Sequence, residues 1–242
     1  MVKKNDYIII LFTHLIYVIV MISSAYRLDF AREYNGYAVA DEIIDWIRYG
    51  RIIVNLVWLF WFYLIVDKSL YNAKKVTLYG GRKKVLIETF RCFARFALIY
   101  ASGDIFVVSV IAKYKYHKVW INWADQTSFC SIANRFCIDN MNIVKLIIIS
   151  VCYLFAIYMV NLCLLLIISN RAHSRIMGLI GVIAFDGLLG WGIRGEYRYY
   201  FKFSYYGFKY SKYLLGNVFV YLILLICSIY YVVRIIRKQE WV

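Results

Sequence analysis

Six apolar runs divide this chain, at about 7–26, 52–66, 92–112, 144–168, 176–193 and 214–233, and no stretch between them is long enough to build a soluble core. A helix crossing a bilayer needs roughly 20 apolar residues, within a range near 17–25. Every peptide group in hydrocarbon must be bonded inside its own segment, so runs of this length are confined to helices. The second run is short, and Ile43, Ile44, Trp46 and Ile47 extend it. The first follows Lys3 and Lys4 like a signal peptide but lacks a clear cleavage site, and reads as a retained span. The expectation is an all-α, polytopic membrane protein, with residues 1–242 forming one transmembrane domain of six spans.

Composition agrees. Hydrophobic residues make up 63% of the 242 positions, against roughly 45–50% in soluble domains. The formal charge of +15 fits loops that set topology and meet anionic headgroups. A nucleic-acid partner would require a soluble basic face, and the chain offers none.

The distribution of charge orients the spans. With both termini inside, the inner segments hold fourteen basic and four acidic residues, and the outer segments thirteen and eight. Lys and Arg resist translocation, so this asymmetry favours N-in and C-in. The strongest contributor is the inner segment 67–91, where Lys68, Lys74, Lys75, Arg82, Lys83, Lys84 and Arg91 face only Asp67 and Glu88. Its halves read as helical, broken at Gly80-Gly81.

Among the outer segments, 27–51 is mixed in charge. The spacing of Ala40, Ile43, Ile44 and Ile47 reads as a solvated helical extension of the second span. Segment 194–213 interleaves aromatic and basic residues and reads as short helices lying in or dipping into the outer leaflet, where a Tyr ring is buried and its hydroxyl wet. Tyr199, Tyr200, Lys202, Tyr205 and Tyr206 are its candidates for an outer gate. Cys130 and Cys137 share a polar outer connection, where both a disulfide and two free thiols are open.

Polar residues at membrane depth are the remaining candidates. Asp104 and Asp186 lie near the middle of the third and fifth spans, with Asn55 and Asn161 as less costly companions. A carboxylate there costs at least a few kcal/mol, so it faces a bundle interior or water. A translocation path and a structural hydrogen bond both fit. Gly178, Gly181 and Gly187 beside Asp186 suit close helix packing. Catalysis finds little footing: the three histidines fall in a span, an outer loop and an inner loop, which leaves no metal set. No phosphate-binding loop of the G-x-x-x-x-G-K-[ST] type is present, so the chain does not bind ATP by that motif.

Taken together, six spans, a basic helical connection broken by Gly80-Gly81 and followed by Arg82, Lys83 and Lys84, and the aromatic segment before the last span resemble the small permease subunits of ABC-2-type transporters in bacterial peptide export and immunity systems. The resemblance implies a cytoplasmic coupling helix at residues 69–79, with Tyr71, Lys74, Lys75, Tyr79, Arg82 and Lys83 as contacts for a separate ATP-binding cassette subunit. Val85–Phe90 would begin the third span, and residues 195–213 would be re-entrant. It further implies that ATP and Mg are held by the partner, that no cofactor is bound by this chain, and that two permeases, identical or different, pair in the bacterial cytoplasmic membrane. A rival reading is an immunity or sensor protein that binds a peptide at its aromatic outer surface. A third is an intramembrane enzyme built on Asp104 and Asp186.

Overall fold

The computed structural model describes residues 36–50, 81–115, 117–139, 141–172, 175–189 and 203–238. The spans expected at 7–26 and 52–66 lie outside these residues, as do the expected coupling helix at 69–79 and Asn55. The described residues are helical, with no strand among them.

The central element is a 30-residue helix, Ile143–Ala172, about 45 Å long at 1.5 Å per residue. The Asn142 side chain opens it by accepting the Lys145 N–H at 2.8 Å. Among the described residues, three helices make most of its contacts. The helices are, in chain order, α1 (Val39–Asp45), α2 (Arg82–Val110), α3 (Phe129–Asn134), α4 (the central helix), α5 (Arg175–Gly187), α6 (Tyr205–Lys209) and α7 (Ser211–Lys238). Helices α2, α5 and α7 are those three neighbours of α4. Single π-turns, Trp46–Gly50 and Ile111–Lys115, continue α1 and α2.

Among the described residues, three helices are long and apolar enough to cross a membrane, over Lys83–Tyr114, Ile143–Ala172 and Ser211–Ile235. They cover the runs expected at 92–112, 144–168 and 214–233. The α2 helix starts ten residues before its apolar run, at Arg82, with Lys83 and Lys84 exposed in its first turn. The fifth expected span is described only as far as residue 189. Its helix α5 has 13 residues, about 20 Å, against a hydrocarbon core of about 30 Å.

Small residues bring α5 onto α4. A Cβ on Gly178 would stand 2.0 Å from the Ser169 Oγ and 3.1 Å from the Leu165 carbonyl oxygen. Glycine is therefore a steric requirement of this contact, in keeping with lipid-embedded helices held by packing. Leu98, Ile99 and Phe106 on α2, and Leu215, Phe219, Leu222 and Ile226 on α7, are exposed. Such surfaces are unfavourable in water and ordinary in lipid.

At one end of the bundle, residues 36–47, 117–138 and 203–210 converge into a cap. Val39 and Ala40 donate their N–H groups to the carbonyls of Val119 and Trp120, at 2.9 and 3.1 Å. Phe129 N–H reaches the Gly36 carbonyl at 2.9 Å. Gly36 has φ +96°, and a Cβ there would lie 2.3 Å from the Thr127 carbonyl oxygen, so backbone conformation and space both demand glycine. The expectation of a solvated extension fails for this segment. Val39, Ala40, Ile43, Ile44 and Ile47 are buried, and so are Asp41 and Glu42. Period-three spacing shows a helix face but not how many sides will be covered.

Candidate functional site

Two polar pairs sit at mid-length of α4. Tyr158, fifteen residues into the helix, donates its hydroxyl to the Asp104 Oδ2 of α2. Asn161, one turn further on, donates from Nδ2 to the Asp186 Oδ2 of α5 at 2.9 Å. Asp104 and Asn161 are fully buried and Asp186 is 3% exposed. The Asp104 Oδ1 and the Asn161 Oδ1 are buried without a hydrogen-bond partner. A third joint lies nearer the cap, where the Tyr153 and Tyr221 hydroxyls approach to 3.3 Å and tie α4 to α7. The central helix thus carries a polar link to each of α2, α5 and α7. Buried polar atoms without partners are rare and costly, and the Asp104–Asn161 level holds two of them; Asn217 on α7 holds two more.

The second constellation is in the cap, and its centre is Asp41. This carboxylate is fully buried and accepts three hydrogen bonds. The Ala38 N–H reaches Oδ2 at 2.7 Å, and the Trp123 Nε1 and Tyr205 hydroxyl both reach Oδ1 at 2.8 Å. The three donors come from three different segments. Burial raises the Asp41 carboxyl to about 6; the three hydrogen bonds oppose that rise, and the Asp45 charge adds to it. Desolvation first, then the Asp41 and Asp45 carboxylates, push the Tyr205 hydroxyl well above its ordinary value.

Aromatic rings fill the cap around this node. Trp123 packs edge-on to Tyr205 at 5.3 Å between centroids and tilts against Phe208 at 5.7 Å. Phe203 bridges Phe208 and Tyr153, at 5.2 and 4.8 Å. Below the rim, Phe136 meets Tyr206 at 5.1 Å. Such contacts add roughly 0.5–1.5 kcal/mol per pair beyond area burial. Much of the aromatic composition of 203–210 is consumed by packing.

Of the outer-gate candidates, Tyr205 is buried in this node and Tyr206 is half-buried; Tyr199, Tyr200 and Lys202 lie outside the described residues. Cys130 and Cys137 carry free thiols. Burial pushes the Cys130 thiol up to about 12, and the Cys137 Sγ lies 3.5 Å from the Ser131 Oγ. Of the partner-contact candidates, Lys83 is exposed in the first turn of α2 and Arg82 opens that helix. Tyr71, Lys74, Lys75 and Tyr79 lie outside the described residues. Among the described residues, no group of His, Cys, Asp and Glu is placed to hold a metal.

Sequence reasoning passed over Tyr158, Asp41 and Trp123. A tyrosine midway along an apolar run was a signal, because Tyr ordinarily sits at the interface. So was the pair Asp41 and Asp45, spaced to share one face of an apolar helix. Comparison with family models, with curated proteins and with solved structures gives no match.

Proposed function

We propose that this chain is the permease subunit of an ATP-driven transporter of the ABC-2 type, exporting a peptide or another amphipathic substrate across a bacterial cytoplasmic membrane. Energy comes from a separate ATP-binding cassette subunit, and the permease works as a homodimer or beside a second permease. One observation carries the reading. Helix α2 runs without a break from Arg82 to Val110, so it links the end of the basic segment 67–91 to the Asp104–Tyr158 contact at the middle of the bundle.

The chemistry at its first turn supports this. Cations there oppose the helix macrodipole, which favours negative charge at an N-terminus. Lys83 and Lys84 are exposed, and the first turn contains no acidic residue. Their placement therefore does not serve helix stability. It suits topology, or an acidic surface on a partner. Force applied at this end would reach Asp104 along a rigid rod.

The test is copurification. Tagged protein from its native host should bring down an ATP-binding cassette subunit. Exchanging Lys74, Lys75 and Arg82 for glutamate should abolish that recovery while the permease stays in the membrane. Repeated recovery without any ATPase, together with intact function in the triple variant, sinks the proposal. The rival peptide-binding reading predicts that second result.

A further inference from the structure

Helices α4 and α7 leave the cap side by side and in register. Tyr153 lies ten residues beyond the start of α4 at Ile143, and Tyr221 lies ten beyond the start of α7 at Ser211. Their rings meet at 5.1 Å between centroids and their hydroxyls at 3.3 Å. One turn nearer the cap, Ser150 and Asn217 occupy matching places, each about 10 Å along its helix at 1.5 Å per residue. Among the described residues of α7 the buried ones form a single stripe, Asn217, Tyr221, Ser228 and Val232. Asn217 therefore shares the face that Tyr221 turns to α4. Helical side chains lean toward the N-terminus of their helix, which carries both tyrosine rings over the Ser150–Asn217 turn.

Both residues are buried, Ser150 fully and Asn217 to 3% exposure. The Ser150 Oγ and both the Nδ2 and the Oδ1 of Asn217 have no hydrogen-bond partner. Thr89 and Ser228, also within helices, return their hydroxyls to the carbonyl four residues back, at 2.9 and 2.7 Å. Ser150 does not. A polar side chain on the buried face of a membrane helix ordinarily bonds across to the neighbouring helix, and here two such groups stand at one level without bonding each other.

We propose that Ser150 and Asn217 bind buried water between α4 and α7, one turn below the Tyr153–Tyr221 contact on the cap side, and that this water joins the two helices where no direct bond does.

The chemistry of the walls selects the ligand. An amide offers two donors and an acceptor, and a hydroxyl both donates and accepts. A cation would satisfy the oxygens and leave the Asn217 Nδ2 without an acceptor; an anion would do the reverse to its Oδ1. Water supplies both kinds of bond in one small neutral molecule. Buried water sits where two to four polar groups can reach it, and a water bridge is nearly as favourable in enthalpy as a direct hydrogen bond.

The test is water-edited solid-state NMR of the full, isotope-labelled chain in lipid bilayers. Magnetisation started on water should pass quickly to the Asn217 Nδ2 signal although the residue is buried. The backbone amides of Leu154 and Ile157, equally buried on α4, should receive it slowly. Ser150→Val, whose methyls fill the place of the hydroxyl and its water, should abolish the quick transfer to Asn217. A wild-type Asn217 signal as slow as those of Leu154 and Ile157 would overturn the proposal, because it means a dry contact. Quick transfer that persists unchanged in Ser150→Val would overturn it as well. If that variant does not fold, the wild-type comparison still decides, and Asn217→Leu gives a second reading. An infrared O–H band that shifts in heavy-oxygen water should be present in wild type and lost in Asn217→Leu; its survival there counts against the site.

Discussion

Tyr158 shows how much a single hydroxyl holds at membrane depth. Its donation to Asp104 ties α2 to α4 at that level, and Asp104 already has one oxygen without a partner. Tyr158→Phe would leave the carboxyl with no side-chain donor, at a cost of about 1–3 kcal/mol for the stranded group. Removing both partners is a different operation, because apolar groups of similar shape strand nothing. The double variant Asp104→Leu/Tyr158→Phe should therefore unfold later than Tyr158→Phe alone in detergent denaturation. If the double variant is the less stable of the two, the contact is not the liability described. The same pair separates structure from function. If the chain is the permease proposed above, transport that disappears in a double variant of normal stability makes Asp104 part of the translocation path. Transport that survives makes it a structural bond.

Among the elements, the α4–α5 hairpin is the most sharply specified. Gly178 meets both a side chain and a carbonyl of α4, and a packed interior accommodates an added methyl only by shifting its neighbours. Gly178→Ala should destabilise by about 1–3 kcal/mol and disturb the nearby Asn161–Asp186 bond. Adding Ser169→Ala removes the obstacle at 2.0 Å but leaves the Leu165 carbonyl at 3.1 Å, so rescue should be partial. Full rescue would mean that the backbone approach is looser than described; no rescue would mean that the carbonyl alone sets the limit. Unfolding midpoints of the three variants decide among these.

The glycines and the long apolar helices were readable from sequence because both are local signals. A run of apolar residues states its own length, and small residues in such a run state a close neighbour. The cap was not readable. Asp41 acquires meaning only through Trp123 and Tyr205, far away in sequence, and neither periodicity nor charge counting pairs such residues. Segment 36–47 looked solvated for the same reason: its acids signalled water, while their donors were on other segments.

For the whole molecule, the charge reading places segments 27–51, 113–143 and 194–213 on one side of the membrane. The fold brings the described parts of all three into a single cap. Three segments in one cap must share a side, so the geometry and the positive-inside argument constrain each other. If the cap is outside, the first turn of α2 is inside, because α2 is one continuous helix whose far end enters the cap. Cysteine accessibility tests this directly. In a variant lacking the six native cysteines, Lys118→Cys and Tyr210→Cys should react with an impermeant maleimide on intact cells. Lys84→Cys should react only after the membrane is opened. The reverse pattern would turn the molecule over and place the Asp41 node on the cytoplasmic side. It would also put the cations of α2 on the outer face, out of reach of any cytoplasmic ATPase. One labelling experiment thus bears on both the orientation and the proposed partner.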